Sequence, residues 1–216
     1  MSMAAPGIDH DVMEALRKVA RDRASADSAH DWLHVVRVER NAVHIAEAEG
    51  ADAAVVRAAA LLHELVNLPK DHPDSHRSGE LCAEQALAVL RDSGLDDATS
   101  LRVAQCIRVH GWSAGLAPPD LESAVLQDAD RLDAIGAIGA ARCFATSQAM
   151  RRPFYAPQDP FCDAREPDDK AYAVDHFYRK LLRIPERLHT AEARRIGAER
   201  ASFLRAYLEQ LRREIG

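Results

Sequence analysis

Along most of this chain apolar residues return at three- and four-residue steps, the period of one helix face, and no strand-like alternation persists. A first helix, capped by Asp9 or Asp11, is predicted to run to about Ala24 with Val12, Ala15, Leu16 and Val19 on one face. A second begins near His30-Asp31 and reaches Glu49, where Gly50 serves as a C-cap. Its apolar stripe holds His34, Arg37 and Asn41 on a shared face. Asp52 caps a third helix from Ala53 to about Leu65, followed by the charged loop Lys70 to Arg77. Ser78 to Arg91 is the next helix, and another starts at Asp96 or Asp97 and ends at His110-Gly111.

Leu121 to Ala145 reads as one long helix, apolar on most sides and therefore central. Met150 to Asp169 is expected to be irregular, because Pro153, Pro157, Pro160 and Pro167 interrupt any regular run. Lys170 to Leu182 is helical again, Pro185 interrupts, and Thr190 caps a last amphipathic helix to Ile215. The expectation is an all-α fold in a single domain, 1–216, with its core at about 26–145 and a C-terminal helical extension at about 165–216.

Composition narrows the function classes. At 216 residues the chain can bury one substantial core but not two large ones. Ala, Leu and Val dominate a 47% hydrophobic fraction while aromatics are only 5%, which favours helix over strand. A net charge of −6 argues against a nucleic-acid polymer or an anionic membrane as partner, but leaves room for a local basic pocket that holds a phosphate. No apolar run approaches about 18 residues, so no transmembrane span is expected. Met1 to Gly7 lacks the features of a signal peptide, and a cytoplasmic location is expected. Cys82, Cys106, Cys143 and Cys162 are widely spaced without a CxxC pair, and read as small core residues in a reduced compartment.

The residues that call for chemistry are His63 and Glu64, at the end of the alanine-rich run Ala58-Ala59-Ala60-Leu61-Leu62. An imidazole and a carboxylate buried together need a hydrogen-bond network or a cation to offset their desolvation. His34 upstream and Asp130 downstream complete a set of nitrogen and oxygen donors suited to a divalent ion. Taken singly, each has a plainer reading: a core histidine at His34, a helix-end histidine at His63, a salt-bridge partner of Arg131 or Arg142 at Asp130. The spacing of His30 and His34 invites an HxxxH zinc reading, but the glutamate of an HExxH motif is absent.

Three segments, His30-Asp31-Trp32-Leu33-His34-Val35-Val36-Arg37-Val38, Leu61-Leu62-His63-Glu64 and Val125 to Gly136 with its Gln127-Asp128-Ala129-Asp130-Arg131-Leu132-Asp133, resemble the HD-domain phosphohydrolases, in particular small single-domain bacterial members. Asp175 to Leu182 and the helix after Thr190 extend the resemblance over most of the chain. It implies an HD-domain-like helical bundle and metal-dependent hydrolysis of a phosphoester or phosphoanhydride by metal-activated water, with a nucleotide as substrate. Carried over, the ligands of one divalent cation (Mn, Mg, Co, Fe, Ni or Zn) are His34, His63, the residue at Glu64, and Asp130. Where the family has aspartate this chain has Glu64, whose extra methylene moves the carboxylate outward by about 1.5 Å. Glu64 then ligates directly, binds through a water, or acts as a base; a site that binds metal or nucleotide without turnover, a regulatory module, is the alternative.

Around these ligands, Arg37 and Lys70 are candidates for holding substrate phosphates, with Lys180 closing the pocket from the C-terminal side. His110 is a candidate general acid or second-metal ligand, against the plainer reading of a helix-end histidine favoured by the macrodipole. Asp133, three residues beyond Asp130, is placed to orient an attacking water. The partners expected are a small phosphate ester or nucleotide, with oligomeric state left open, a homodimer included.

Overall fold

The computed structural model describes residues 8–25, 30–66, 68 and 72–216. Among the described residues the regular structure is all helical, with nine α-helices, three 3-10 segments and no strand. The chain forms two compact units, 1–129 and 130–216.

In the first unit, α1 (His10–Asp22) starts at Asp9, whose carboxylate accepts the Asp11 N–H, and buries Met13, Leu16 and Ala20. The N-cap of α2 (Trp32–Glu49) is Asp31, which accepts the backbone N–H of His34 at 2.9 Å, and Gly50 closes the helix in the left-handed conformation. Asp52 caps α3 (Ala53–Leu62) through the N–H groups of Ala54 and Val55. Apart from Arg57, α3 is buried from Val55 to Leu62, and its alanines let α1, α2 and α5 (Asp97–Val109) pack directly against it. α3 stops at Leu62 rather than at the predicted Leu65, so His63 stands at its C-cap. The buried Glu39 of α2 accepts from Arg17 of α1 and lies 3.5 Å from Arg57 of α3, tying the three helices together.

α4 (Ser78–Asp92) pairs with α5, and the contact requires glycine: a Cβ on Gly79 would lie 2.5 Å from the Arg108 carbonyl oxygen. α6 (Leu121–Asp133) follows, with Val125, Leu126, Ala129 and Leu132 all buried.

One correction concerns the helix expected from Leu121 to Ala145. It is two helices, α6 ending at Asp133 and α7 spanning Gly136–Ala149. Gly136 adopts φ +77°, a conformation that side-chain-bearing residues adopt at a cost. The carbonyls of Leu132 and Asp133 are taken by Arg200 Nη1 at 2.5 Å and Arg142 Nη1 at 3.2 Å. These arginines share the terminal acceptors of α6 with the N–H groups of Ala134 and Ile135, which donate to the Arg131 and Leu132 carbonyls, and the chain can turn.

The second unit runs from the end of α6 through the irregular stretch 150–172 to α8 (Ala173–Arg179), a 3-10 segment Leu181–Arg187 and α9 (Ala191–Ile215). The helix expected over Lys170 to Leu182 is thus shorter, and Pro185 sits inside the 3-10 segment. Thr190 caps α9 as expected. The irregular stretch is organised by carboxylates. Asp159 accepts the N–H groups of Asp163, Ala164 and Arg165, and the buried Asp175 takes Arg165 through both terminal nitrogens (2.5 and 2.7 Å) and the Asp168 N–H at 2.6 Å. Phe144, Phe154, Phe177 and Tyr207 form an aromatic cluster in the same unit.

Candidate metal centre

The Asp31 cap fixes the first turn of α2, and His34 projects from that turn into the core, where it is fully buried. His63, at the end of α3, is also buried, and its Nδ1 lies 2.7 Å from the Ala60 carbonyl oxygen. That carbonyl is an acceptor left over at the helix end. With Nδ1–H donated to it, the neutral ring keeps its lone pair on Nε2. His63 Nε2 stands 3.3 Å from His34 Nε2. α6 supplies Asp130, and one ligand atom from each of His34, His63 and Asp130 lies within 4.8 Å of the other two.

Glu64 adds a second carboxylate. Its Oε1 is 3.7 Å from His34 Nε2 and 3.8 Å from His63 Nε2, with its side chain 14% exposed. Burial alone would raise this carboxyl, but its polar contact with His34 and the fields of His63, His30 and His34 outweigh that and hold it below the ordinary glutamate value. Glu64 is therefore ionised at neutral pH beside two histidines.

The imidazoles continue outward on both sides. His30 packs edge-on against His34 with ring centroids 5.8 Å apart, and His110 packs edge-on against His63 at 5.3 Å. His110 is built like His63, with Nδ1 2.6 Å from the carbonyl oxygen of Ile107, three residues earlier at the end of α5. The backbone under the His63-Glu64 corner is held by Cys82 of α4, whose thiol donates to the carbonyls of Leu62 (3.3 Å) and His63 (3.1 Å). Burial pushes that thiol up to about 12, so it stays protonated and serves as a donor.

The HD domain profile matches residues 32–135, the span that holds all four predicted ligands. YpgQ of Bacillus subtilis is 36% identical over 193 residues, covering 87% of this chain and 85% of YpgQ. The chain belongs to the HD-domain hydrolase superfamily. Solved structures agree. The crystal structure of YpgQ in complex with ADP superposes with a TM-score of 0.74 at 33% identity, over 94% of this chain and 97% of that one. An HD-superfamily hydrolase from Bacillus thuringiensis gives 0.73 at 29% identity, over 94% and 96%.

HD domains bind divalent metals, and the donors here suit one: two buried histidine nitrogens facing each other, with the Asp130 carboxylate close by. With His63 Nε2 left as an acceptor, the 3.3 Å between the two Nε2 atoms is bridged either by a proton on His34 Nε2 or by a cation, and the neighbouring carboxylates suit a cation.

Of the other residues singled out from the sequence, Arg37 lies half-buried one turn beyond His34 on α2. Lys70 lies outside the described residues. Asp133 is buried and its carboxylate accepts from Arg142 Nη1 at 2.8 Å. Lys180 is the C-cap of α8 in the second unit. Arg131 donates to the Arg187 carbonyl and lies 2.8 Å from His189 Nε2. Sequence reasoning passed over Cys82 as a mere core residue and gave Gln127 no role. The signal for Gln127 was available: an uncharged amide directly after the apolar Ala124-Val125-Leu126 run.

Proposed function

We propose that this HD-domain hydrolase is a phosphohydrolase that uses one divalent cation to cleave a phosphoanhydride or phosphomonoester bond of a nucleotide. The convergence of the buried His34 and His63 with the half-buried Asp130 carries the reading, and the ADP bound by the related YpgQ supports a nucleotide as the ligand class. His34, His63, Asp130 and Glu64 would hold the cation, which supplies a Lewis acid for phosphoryl oxygens and activates water.

The chain's own residues supply the rest. Glu64, kept ionised by its histidine neighbours, balances cationic charge at the site and stands ready to accept a hydrogen bond from the attacking water. Asp133, held by Arg142, orients that water. Arg37 is assigned to bidentate contact with a substrate phosphate, and Lys70 and Lys180 to charge neutralisation of the phosphoryl oxygens. His110 faces the substrate beside His63 and assists departure of the leaving oxygen.

The test is a panel of nucleoside mono-, di- and triphosphates incubated with Mn²⁺, Co²⁺ and Mg²⁺, with products resolved by chromatography. Inorganic phosphate from a monophosphate identifies a nucleotidase, and pyrophosphate from a triphosphate identifies anhydride cleavage between the α- and β-phosphates. Tight nucleotide binding without products across the panel would reject the enzyme in favour of a binding module.

A further inference from the structure

Gln127 sits in the middle of α6 with its side chain fully buried, where an amide is stable only when its hydrogen bonds are made. Its Nε2 donates to the carbonyl of Val109 at 2.8 Å and to that of Leu116 at 3.0 Å. Val109 is the last residue of α5, and Leu116 follows the 3-10 turn Trp112–Ala114. These carbonyls are therefore the two ends of one loop, and that loop carries His110. Gly111 and Gly115 leave its backbone many alternatives, and one buried amide closes it from both sides.

We propose that Gln127 is a positioning residue for His110. By fixing both ends of the Val109–Leu116 loop it holds the His110 ring edge-on against His63, at 5.3 Å, with Nδ1 engaged by Ile107 and Nε2 the nitrogen that meets substrate. The inference rests on the proposed hydrolytic function for the consequence it assigns to His110, but the positioning itself is measurable without turnover. A rigid support of this kind separates a histidine that is merely near the site from one aimed at it.

Two variants remove the donor in different ways: Gln127→Met keeps the volume without polar atoms, and Gln127→Glu keeps the shape but replaces the donor with an acceptor that faces two carbonyls. In the protein labelled with ¹⁵N-histidine, the His110 ring signals should shift or broaden in both variants, while far-UV circular dichroism stays that of the parent. Unchanged His110 signals in folded Gln127→Met overturn the proposal whether or not any nucleotide is hydrolysed.

Turnover supplies the second readout. With a nucleotide cleaved by the parent protein, kcat/KM should fall roughly 10- to 100-fold in Gln127→Met and in His110→Ala alike. The double variant should fall no more than about threefold further, because a residue that acts through His110 has nothing to position once His110 is gone. A double variant showing the full product of the two single losses would assign Gln127 a separate role and overturn the proposal. If His110→Ala keeps full activity while His63→Ala loses it, the role given to His110 fails, and with it this inference, while the hydrolase reading stands.

Discussion

The Nε2 atoms of His34 and His63 face each other across 3.3 Å in a fully enclosed part of the core. Because His63 gives its Nδ1–H to the Ala60 carbonyl, its neutral form offers only a lone pair in that direction. A neutral His34 fills that space with its own Nε2–H, whereas the ionised Glu64, 3.7 and 3.8 Å from the two rings, favours a positive charge there. A divalent cation would meet that need better than a shared proton, because a carboxylate oxygen of Asp130 lies within 4.8 Å of both ring nitrogens.

His63→Ala and Asp130→Ala should each lose stoichiometric divalent metal, measured by plasma mass spectrometry after dialysis, and retain nearly all of their helical circular dichroism. Any phosphohydrolase activity should drop by at least about 100-fold. Full metal content in either variant would place the ion elsewhere.

Glu64→Asp separates direct ligation from an indirect role. Shortening the side chain withdraws the carboxylate by about one bond length, about 1.5 Å. A carboxylate that touches the ion at its present length should change the metal's dissociation constant or its preference between Mn²⁺ and Mg²⁺, read by calorimetry. Identical constants for the two proteins would mean that Glu64 does not touch the ion.

Binding of the cation should also stabilise the fold. Chelation followed by desalting should lower Tm, and added Mn²⁺ should restore it in a concentration-dependent way, as ligand linkage requires. The same titration on His34→Ala should leave Tm nearly flat.

The caps Asp52 and Thr190 were readable from the sequence, and Asp96 was one of two candidates with Asp97, because each acts on backbone groups two or three residues away. The break between α6 and α7 was not, since Gly136 lies in an apolar run and the side chains that share the terminal carbonyls, Arg142 and Arg200, come from α7 and α9. The site divides the same way. His34, His63 and Asp130 stand out as polar residues on apolar helices, whereas the thiol of Cys82 under His63 and the amide of Gln127 across the His110 loop depend on contacts 19 and 18 residues apart. The four-residue step from His30 to His34, which lacks the glutamate of an HExxH motif, brings the two rings into an edge-on contact at the start of α2.

Stability of the second unit should depend on pH through Asp175. Burial raises this carboxyl, but the Arg165 guanidinium and the Asp168 N–H outweigh it and hold the folded value below the ordinary one. A depressed folded value contributes stability above the unfolded value of about 3.9, and that contribution fades as pH falls through the folded value. Asp175→Asn should therefore cost about 2–3 kcal/mol at pH 7 and progressively less in acid, measured by urea unfolding. An equal loss at both pH values would assign the effect to packing alone.

The four cysteine thiols should be unreactive. Burial raises Cys82 and Cys106 to about 12 and Cys143 to about 11, and Cys162 also reaches about 11, burial again leading. Alkylation by iodoacetamide at pH 7.5 should be slow in the native protein and fast in urea. Rapid native labelling at Cys82 would contradict its role as a buried donor to the Leu62 and His63 carbonyls.

The central claim is that one cation on His34, His63, Glu64 and Asp130 enables this chain to hydrolyse a nucleotide. Its most direct test is phosphate or pyrophosphate release from the nucleotide panel with Mn²⁺, run side by side for the parent protein and His63→Ala. Release by the parent that EDTA abolishes and His63→Ala lacks is the result predicted here. Metal-loaded parent protein that releases neither product, or a His63→Ala variant that matches it, would contradict the account.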